Sequence, residues 1–354
     1  MVTVFGNPKH TQHCPRDGCK LNFSVMVERM RMITYGCFLG MVTVAMISTR
    51  LWVVDSLKKG LDDTTIPIEQ RGCGPFNRGD RGVVEYSELN RNNEFDLSFG
   101  KGFDFETENH LVEITGLTNI CVYWDYTPAR EIVAVVYPFF ELSLLMYITL
   151  DWLNTQLSFA RGEIPKWYLI FHHFKFGLCM FLFAQFRLIF VFIAYENVQG
   201  HTAGFLCLQI GLVLVAIDNF MYVLLTNQTY PRSRLPLKTT TQVRACAATY
   251  LLCNLVVAGF KLYGTAYIVA TGYGPPLYLR EVRELEDGEG SLKMGKVIDT
   301  FWMLFNAVIP FLIATVRAQH EAPMNFEITT PPPIYDRKEQ GTTSAGETAS
   351  RSID

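Results

Sequence analysis

Five ionisable side chains interrupt otherwise apolar runs of this 354-residue sequence: Glu141, Lys175, Arg187, Asp218 and Lys261. Ionisable residues are costly within a membrane, and they usually face neighbouring helices, a partner of opposite charge or a water-filled cavity. Both signs are present here, so the five can pair with one another, as buried charges require. We predict that they form an intramembrane polar network.

The depths of these residues predict two layers within the bilayer. Each helical residue advances about 1.5 Å along the axis, which places Glu141, Arg187 and Lys261 in one outer layer. Lys175 and Asp218 then occupy an inner layer. Two interpretations stay open: the charges line a path or pocket for a polar or charged solute, or they are ion pairs that fix which helices are partners.

A second group with chemical potential is Asp151, His172 and His173. A di-histidine beside a carboxylate can bind a metal or move protons. Adjacent helical residues, however, point about 100° apart, so both histidines cannot easily share one ion. The sequence has no Gly-x-Ser-x-Gly, His-Glu-x-x-His or phosphate-loop motif. We predict no catalytic residue, no metal site and no cofactor.

The elements that carry these residues are six long apolar runs. A helix needs roughly 20 apolar residues to cross the ~30 Å hydrocarbon core, and runs without polar alternation exclude barrel strands. The runs are residues 32–54, 132–152, 167–195, 203–225, 245–270 and 297–316. The sequence therefore predicts an all-α membrane protein, a six-helix transmembrane bundle embedded in the lipid bilayer.

Lys and Arg near the span ends predict the orientation, because cytosolic loops carry an excess of them. The N-terminal arm, residues 1–31, and the loops after the second and fourth spans are rich in both. We expect these segments, and hence both termini, in the cytosol of a plasma-membrane or endomembrane protein. One loop does not follow this rule: residues 271–296 should lie outside, yet they contain two arginines and two lysines.

The extracytosolic segment, residues 55–131, is the one stretch outside the spans long enough to fold. Residues 82–85 and 110–124 alternate apolar and polar types, as half-buried strands do. We predict a small strand-rich domain between spans one and two. Cys73 and Cys121 are its only cysteines, and in an oxidising compartment they would form a disulfide.

The C-terminal segment, residues 318–354, is polar and rich in Thr, Pro, Glu and Ser, so we predict a disordered cytosolic tail. It contains Pro332, Pro333, Ile334 and Tyr335, a Pro-Pro-x-Tyr element that resembles the ligand of WW domains. That resemblance implies WW-domain proteins such as ubiquitin ligases as partners. The alternative is a Pro-rich linker that no partner reads.

Residues 167–225 resemble the damage-regulated autophagy modulator family of six-pass proteins. The likeness lies in Tyr195 and Glu196, followed by His201 and Phe205 at the turn between spans three and four. It covers about a sixth of the chain, and the segment after span one is longer than the family's short loop. The resemblance would imply an endolysosomal or Golgi protein in autophagy or lipid-anchor processing, and no functional residue is carried over.

Three functions remain open at this stage. The first is a non-enzymatic protein of trafficking or signalling, with an external binding domain and a tail that recruits WW domains. The second is a transporter or channel that uses the buried charges, and the third is a membrane-embedded lipid-modifying enzyme. The net charge of −3 and the absence of a basic stripe argue against nucleic-acid binding. The sequence leaves the oligomeric state open.

Overall fold

The computed structural model describes residues 3–4, 20–53, 115–116, 120–125, 128–192, 194, 197–230, 237–280 and 293–329. The chain divides into two compact units. The larger unit is Val27–His320, and the smaller one combines Met1–Met26 with Glu321–Asp354.

The prediction of six membrane helices is confirmed, since the described residues contain six helices long and apolar enough to cross a bilayer. These spans one to six are Val27–Trp52, Ala129–Ala160, Lys166–Val191, Val198–Leu225, Thr240–Thr271 and Met294–Ala318. Span one begins at Val27 rather than at residue 32, and span two continues to Ala160 rather than ending at residue 152. The additional turns carry charged or polar residues whose side chains other spans can bind.

The spans are built from eight α-helices and two π-helical turns. Span one is α1 (Val27–Ser48) followed by a π-turn, Thr49–Val53. The next helices are α2 (Ala129–Ala160), α3 (Lys166–Gln185), α4 (Leu188–Val191), α5 (Val198–Leu225) and α6 (Thr240–Thr271). Span six comprises α7 (Lys293–Met303), a π-turn (Leu304–Val308) and α8 (Ile309–Ala318).

Local sequence explains several helix ends. The side chain of Asn197 accepts a hydrogen bond from the N–H of Gly200, 2.8 Å away, at the start of α5. Thr239 and Gln242 form a reciprocal capping box at the start of α6. That helix ends at Gly272, whose φ of 82° suits a residue without Cβ. Each contact satisfies a backbone group that a helix end leaves without an intrahelical partner.

The π-turn in span six precedes Pro310, which has no N–H to donate into the preceding turn. The carbonyl of Phe305, within that turn, instead accepts hydrogen bonds from Tyr250, at 2.8 Å, and from Asn254, at 3.3 Å. Side chains of span five therefore compensate for the irregular backbone of span six, as neighbouring helices must within a membrane.

The six spans form a closed ring in sequence order. Each packs against the spans that precede and follow it, and the sixth packs against the first. The carboxylate of Glu28, in the first turn of span one, lies 3.1 Å from the guanidinium of Arg317 near the end of span six. We call the end of the bundle that carries Glu28 and Arg317 the terminal end, and the opposite one the far end.

The predicted strand-rich domain is not shown. Within its last predicted strand, the described residues Ile120–Trp124 form a 3₁₀ helix that packs against spans one and two. All five are buried, and Thr49 donates to the carbonyl of Tyr123 over 2.6 Å. Continuous burial, rather than burial of every second residue, explains why the strand prediction fails for this turn. Most of the segment, including residues 82–85 and Cys73, lies outside the described residues, so its pairing with the buried Cys121 stays a prediction.

Strands occur instead in both terminal segments, where none was predicted. β1 (Thr3–Val4), β2 (Lys20–Val25) and β3 (Met324–Thr329) form a three-stranded antiparallel sheet in that order. The register pairs Leu21 with Ile328, Phe23 with Phe326 and Val25 with Met324, so apolar residue types meet at every second position. Met324–Thr329, near the start of the segment predicted to be disordered, is thus a strand, which its alternation of apolar and polar residues supports.

Candidate functional site: the buried charges and the cavity beside them

Lys175 of span three lies between two carboxylates from neighbouring spans. Its ammonium is 2.8 Å from Asp151 of span two and 2.6 Å from Asp218 of span four. The lysine is 1% exposed, and burying an unpaired charge would be costly. The three side chains therefore tie spans two, three and four together.

Other polar groups complete this arrangement on the same face of span three. His172 Nδ1 lies 3.2 Å from the Asp218 carboxylate, and the hydroxyl of Tyr168 donates to that carboxylate over 2.8 Å. Tyr168, His172 and Lys175 are four and three residues apart, the spacing of one helix face. We call these three residues, with Asp151 and Asp218, the Lys175 cluster.

The two adjacent histidines separate, as helical geometry requires. His172 is buried in the Lys175 cluster and contacts Thr155 over 3.3 Å. His173 instead contacts Gln156 over 3.2 Å on the exposed side of the helix, with its ring edge-on to Trp152. The predicted group of Asp151 with both histidines is thus not assembled, which weakens the lipid-enzyme interpretation that depended on it.

Asp151, His172 and Asp218 offer three ligand atoms within 4.8 Å of one another, close enough in principle to hold a cation. The ammonium of Lys175 already contacts both carboxylates, so it supplies the positive charge that a metal would bring. A metal could use these oxygens only if Lys175 moved away. The donor set therefore fits a metal poorly while the lysine is in place.

A second buried group lies at the terminal end of span one. The guanidinium of Arg31 donates to the Tyr147 hydroxyl, to the side-chain oxygen of Asn219 and to the Glu28 carboxylate. Glu28 also accepts from Arg317, so one carboxylate lies between two guanidiniums. We call these five residues the Arg31 cluster. It links spans one, two, four and six.

The Arg31 cluster is not predicted from the sequence, because Arg31 falls in the predicted cytosolic arm, residues 1–31. The structure includes it in the second turn of span one and leaves it 4% exposed. A signal existed in the sequence: Glu28 and Arg31 are three residues apart directly before an apolar run, as in a helical ion pair. An arginine at a span boundary is also a common signal of orientation. That alternative explanation is why Arg31 is not paired with Glu28 in the sequence-based prediction.

The predicted outer layer divides into two separate pairs. Arg187 of span three donates to Glu141 of span two over 2.8 Å, with the arginine side chain 56% exposed. Lys261 of span five does not join them and instead lies 2.6 Å from Asp299 of span six. The intramembrane charges predicted from the sequence do not include Asp299. Asp299 lies within the predicted sixth span but only two residues from its predicted start, where a charge is common.

Asp125 and His201 meet at the far end of the bundle. Asp125 follows the 3₁₀ turn, and its carboxylate lies 3.3 Å from the imidazole of His201, near the start of span four. Both residues are buried. Burial raises the pKa of the Asp125 carboxyl well above its usual value, against a smaller opposing effect of Arg130. The residue is therefore held in a protonated state over a wider pH range than an exposed aspartate.

A cavity of about 240 Å³ lies between spans one, four, five and six. Arg31 and Arg317 line its terminal end, and Asn306, in the π-turn of span six, lines it deeper in the bundle. Most of the remaining wall is apolar, for example Val215 and Ile313. The cavity thus combines two guanidiniums with a hydrocarbon-like surface.

The predicted WW ligand, Pro332–Tyr335, lies outside the described residues, as does Cys73. No protein family, curated protein or solved structure matches this chain.

Proposed function

We propose that this chain is a non-enzymatic membrane protein of trafficking or signalling that acts by binding. The observation that supports this most is the pairing of the buried charges across spans. Glu28 with Arg317 connects spans one and six, the Lys175 cluster connects two, three and four, and Lys261 with Asp299 connects five and six. Such links hold the ring in one arrangement and favour a stable binding scaffold.

The sequence adds two features to this proposal. The segment 55–131 would bind a ligand or partner on the extracytosolic side, and the Pro332–Tyr335 element would recruit a WW-domain protein such as a ubiquitin ligase in the cytosol. The chain enters span one and leaves span six at the terminal end of the bundle. We propose that this is the cytosolic end, because the adjoining loops are rich in Lys and Arg.

A transporter for a polar or charged solute is the second candidate. It is favoured by one observation: a lysine that two carboxylates share, with a histidine beside it, could exchange partners or a proton during a conformational change. The same contacts also fit a static scaffold. Transport differs from binding in that it moves solute across a sealed membrane.

Liposome flux and a pull-down test the proposal together. We expect purified chain in sealed liposomes to pass no ionic or polar solute above empty liposomes, and the variant Lys175→Arg to behave identically. Wild-type flux that is lost in Lys175→Arg would replace the proposal by the transporter.

In the pull-down, full-length protein should retain WW domains and Tyr335→Ala should not, with Tyr335→Phe as the control that keeps the ring. Equal retention by all three would remove the tail motif from the proposal.

A further inference from the structure

We infer that the cavity between spans one, four, five and six holds an anionic membrane lipid, with its headgroup at Arg31 and Arg317 and an acyl chain along the apolar wall. This inference rests on the proposed function, because it names the ligand class of a binding scaffold. Four features of the cavity support it: its charge, its wall, its volume and its accessibility.

The charge at the terminal end of the cavity favours an anion. Arg31 and Arg317 contribute two positive charges, and Glu28 between them contributes one negative charge. The neighbouring Lys175 cluster has the opposite excess, with two carboxylates and one ammonium, but its carboxylates are engaged by Lys175. The Arg31 cluster, whose two arginines line the cavity, therefore has one net positive charge, and the one net negative charge of the Lys175 cluster lies on residues that do not line it. Guanidinium groups suit phosphate and carboxylate groups because they offer several donors in one plane.

The wall favours an acyl chain over a small soluble anion. Below the two arginines the cavity is lined by Leu212, Val215 and Ala216 of span four and by Pro310 and Ile313 of span six. A soluble anion would leave that surface without apolar contact, whereas an acyl chain would bury its methylene groups there, which is favourable. The volume of about 240 Å³ is just below the ~300–1,000 Å³ of clefts that enclose whole ligands. It suits one part of an extended lipid whose remainder stays in the leaflet.

Access from the bilayer is provided by span five. Cys246, near the terminal end of that span, lines the cavity and is also exposed. Leu252, Val256 and Phe260 of the same helix are exposed apolar residues, which in a membrane would contact hydrocarbon. A lipid of the adjoining leaflet can therefore reach the cavity without crossing water.

The thiol of Cys246 provides a direct probe of occupancy. Full-length protein is reconstituted in phosphatidylcholine nanodiscs with or without phosphatidylserine, treated with a maleimide, and alkylation of Cys246 is followed by peptide mass spectrometry. Phosphatidylserine should slow alkylation in proportion to its content, and oleate in its place distinguishes a free fatty acid from a phospholipid. Protection by oleate alone, or equal protection in pure phosphatidylcholine, would overturn the assignment to an anionic phospholipid.

Two variants and one matched control distinguish lipid in the cavity from lipid bound elsewhere on the surface. Arg317→Gln should weaken protection roughly tenfold to a hundredfold, the usual effect of losing hydrogen bonds to a charged group. Arg187→Gln, at the exposed far pair, is the matched control and should leave protection unchanged. Ala247 of span five also lines the cavity, so Ala247→Trp fills the cavity without changing any charge and should abolish lipid retention in native mass spectra. Retention by Ala247→Trp at the wild-type level would show surface lipid and overturn the inference.

Failure of this inference and failure of the proposed function are distinguishable. Solute flux is measured on the same preparations, and a melting temperature for each variant shows that it is folded. Flux would defeat the binding-protein proposal whatever Cys246 shows. An unprotected Cys246 in folded protein without flux would defeat the lipid assignment alone.

Discussion

The two halves of the bundle differ in how their charged side chains are paired and in how far those side chains are exposed. In the terminal half, Lys175 and Arg31 each bind two or more partners from at least two spans, and both side chains are nearly inaccessible. In the far half the charges form simple pairs, and the arginine of the Glu141–Arg187 pair is 56% exposed. A buried charge with one partner removed is costly, whereas an exposed pair contributes little. The comparison therefore predicts that the terminal half contributes more to stability than the far half and that it also contains the binding site.

Removing the ammonium of the Lys175 cluster should have the largest effect. Lys175→Met leaves the carboxylates of Asp151 and Asp218 facing each other without a cation, which should cost about 3–5 kcal/mol of stability. The loss is measured as a lower melting temperature in detergent. The triple variant that adds Asp151→Asn and Asp218→Asn should recover most of it. A single variant that melts like the wild type would contradict the role given to this cluster.

The Lys261–Asp299 pair should show an intermediate effect. Lys261 is fully buried and lies over the ring of Phe205, 5.6 Å from its centre, whereas the Asp299 side chain is 16% exposed. Because solvent can relieve part of the lost interaction, Lys261→Met should cost about 2 kcal/mol. Combining it with Asp299→Asn should restore the melting temperature. If the double variant is less stable than the single one, the pair is not the reason for the loss.

The Asp125 carboxyl should make stability depend on pH at the far end. Its pKa is raised in the folded state, so its contribution is fully present below its unfolded pKa, about 4, and is lost as the pH rises through the folded value. Asp125→Asn should remove that loss and raise stability at neutral pH on the order of 1 kcal/mol. Melting temperatures over a pH series test this, with Asp125→Asn/His201→Gln to isolate the imidazole that faces the carboxyl. Parallel pH profiles for wild type and Asp125→Asn would count against it.

The exposed pair at Arg187 should show the smallest effect. Arg187→Gln removes a charge that solvent already screens, so the expected loss is below about 1 kcal/mol. This variant is matched to Lys175→Met, since each removes a cation of span three that contacts an acid of span two. A loss as large as that of Lys175→Met would remove the distinction between the two halves.

The spans could be predicted because continuous apolar length is a local property of the sequence. Ion pairing between spans is not a local property, and the sequence predicts these pairs only in part. Lys175 and Asp218, expected in one layer, do meet, but Lys261 and Arg187, also expected in one layer, belong to different pairs. Depth along a helix is readable from residue number, whereas the direction in which a side chain faces depends on the order of spans around the ring.

The cavity and the terminal sheet could not be predicted for a related reason. The cavity exists only where four spans meet, and its two arginines are far apart in the sequence. The alternation in Met324–Thr329 was available, yet a six-residue alternating segment is stable only with a partner strand. That partner, Lys20–Val25, precedes it by about 300 residues.

The antiparallel pairing of β2 with β3 joins the beginning and the end of the chain. Truncation before Met324 would remove the Pro-Pro-x-Tyr element and would also remove β3, one of the two hydrogen-bonding neighbours of β2, exposing an open strand edge prone to association. Since Pro332 follows Thr329 by only three positions, affinity tags or reporters fused close to that strand carry the same risk. The Pro-Pro-x-Tyr element is therefore better tested by point substitution than by truncation. If a shortened chain aggregated, the cause would be the loss of β3 and not the loss of a WW-domain partner.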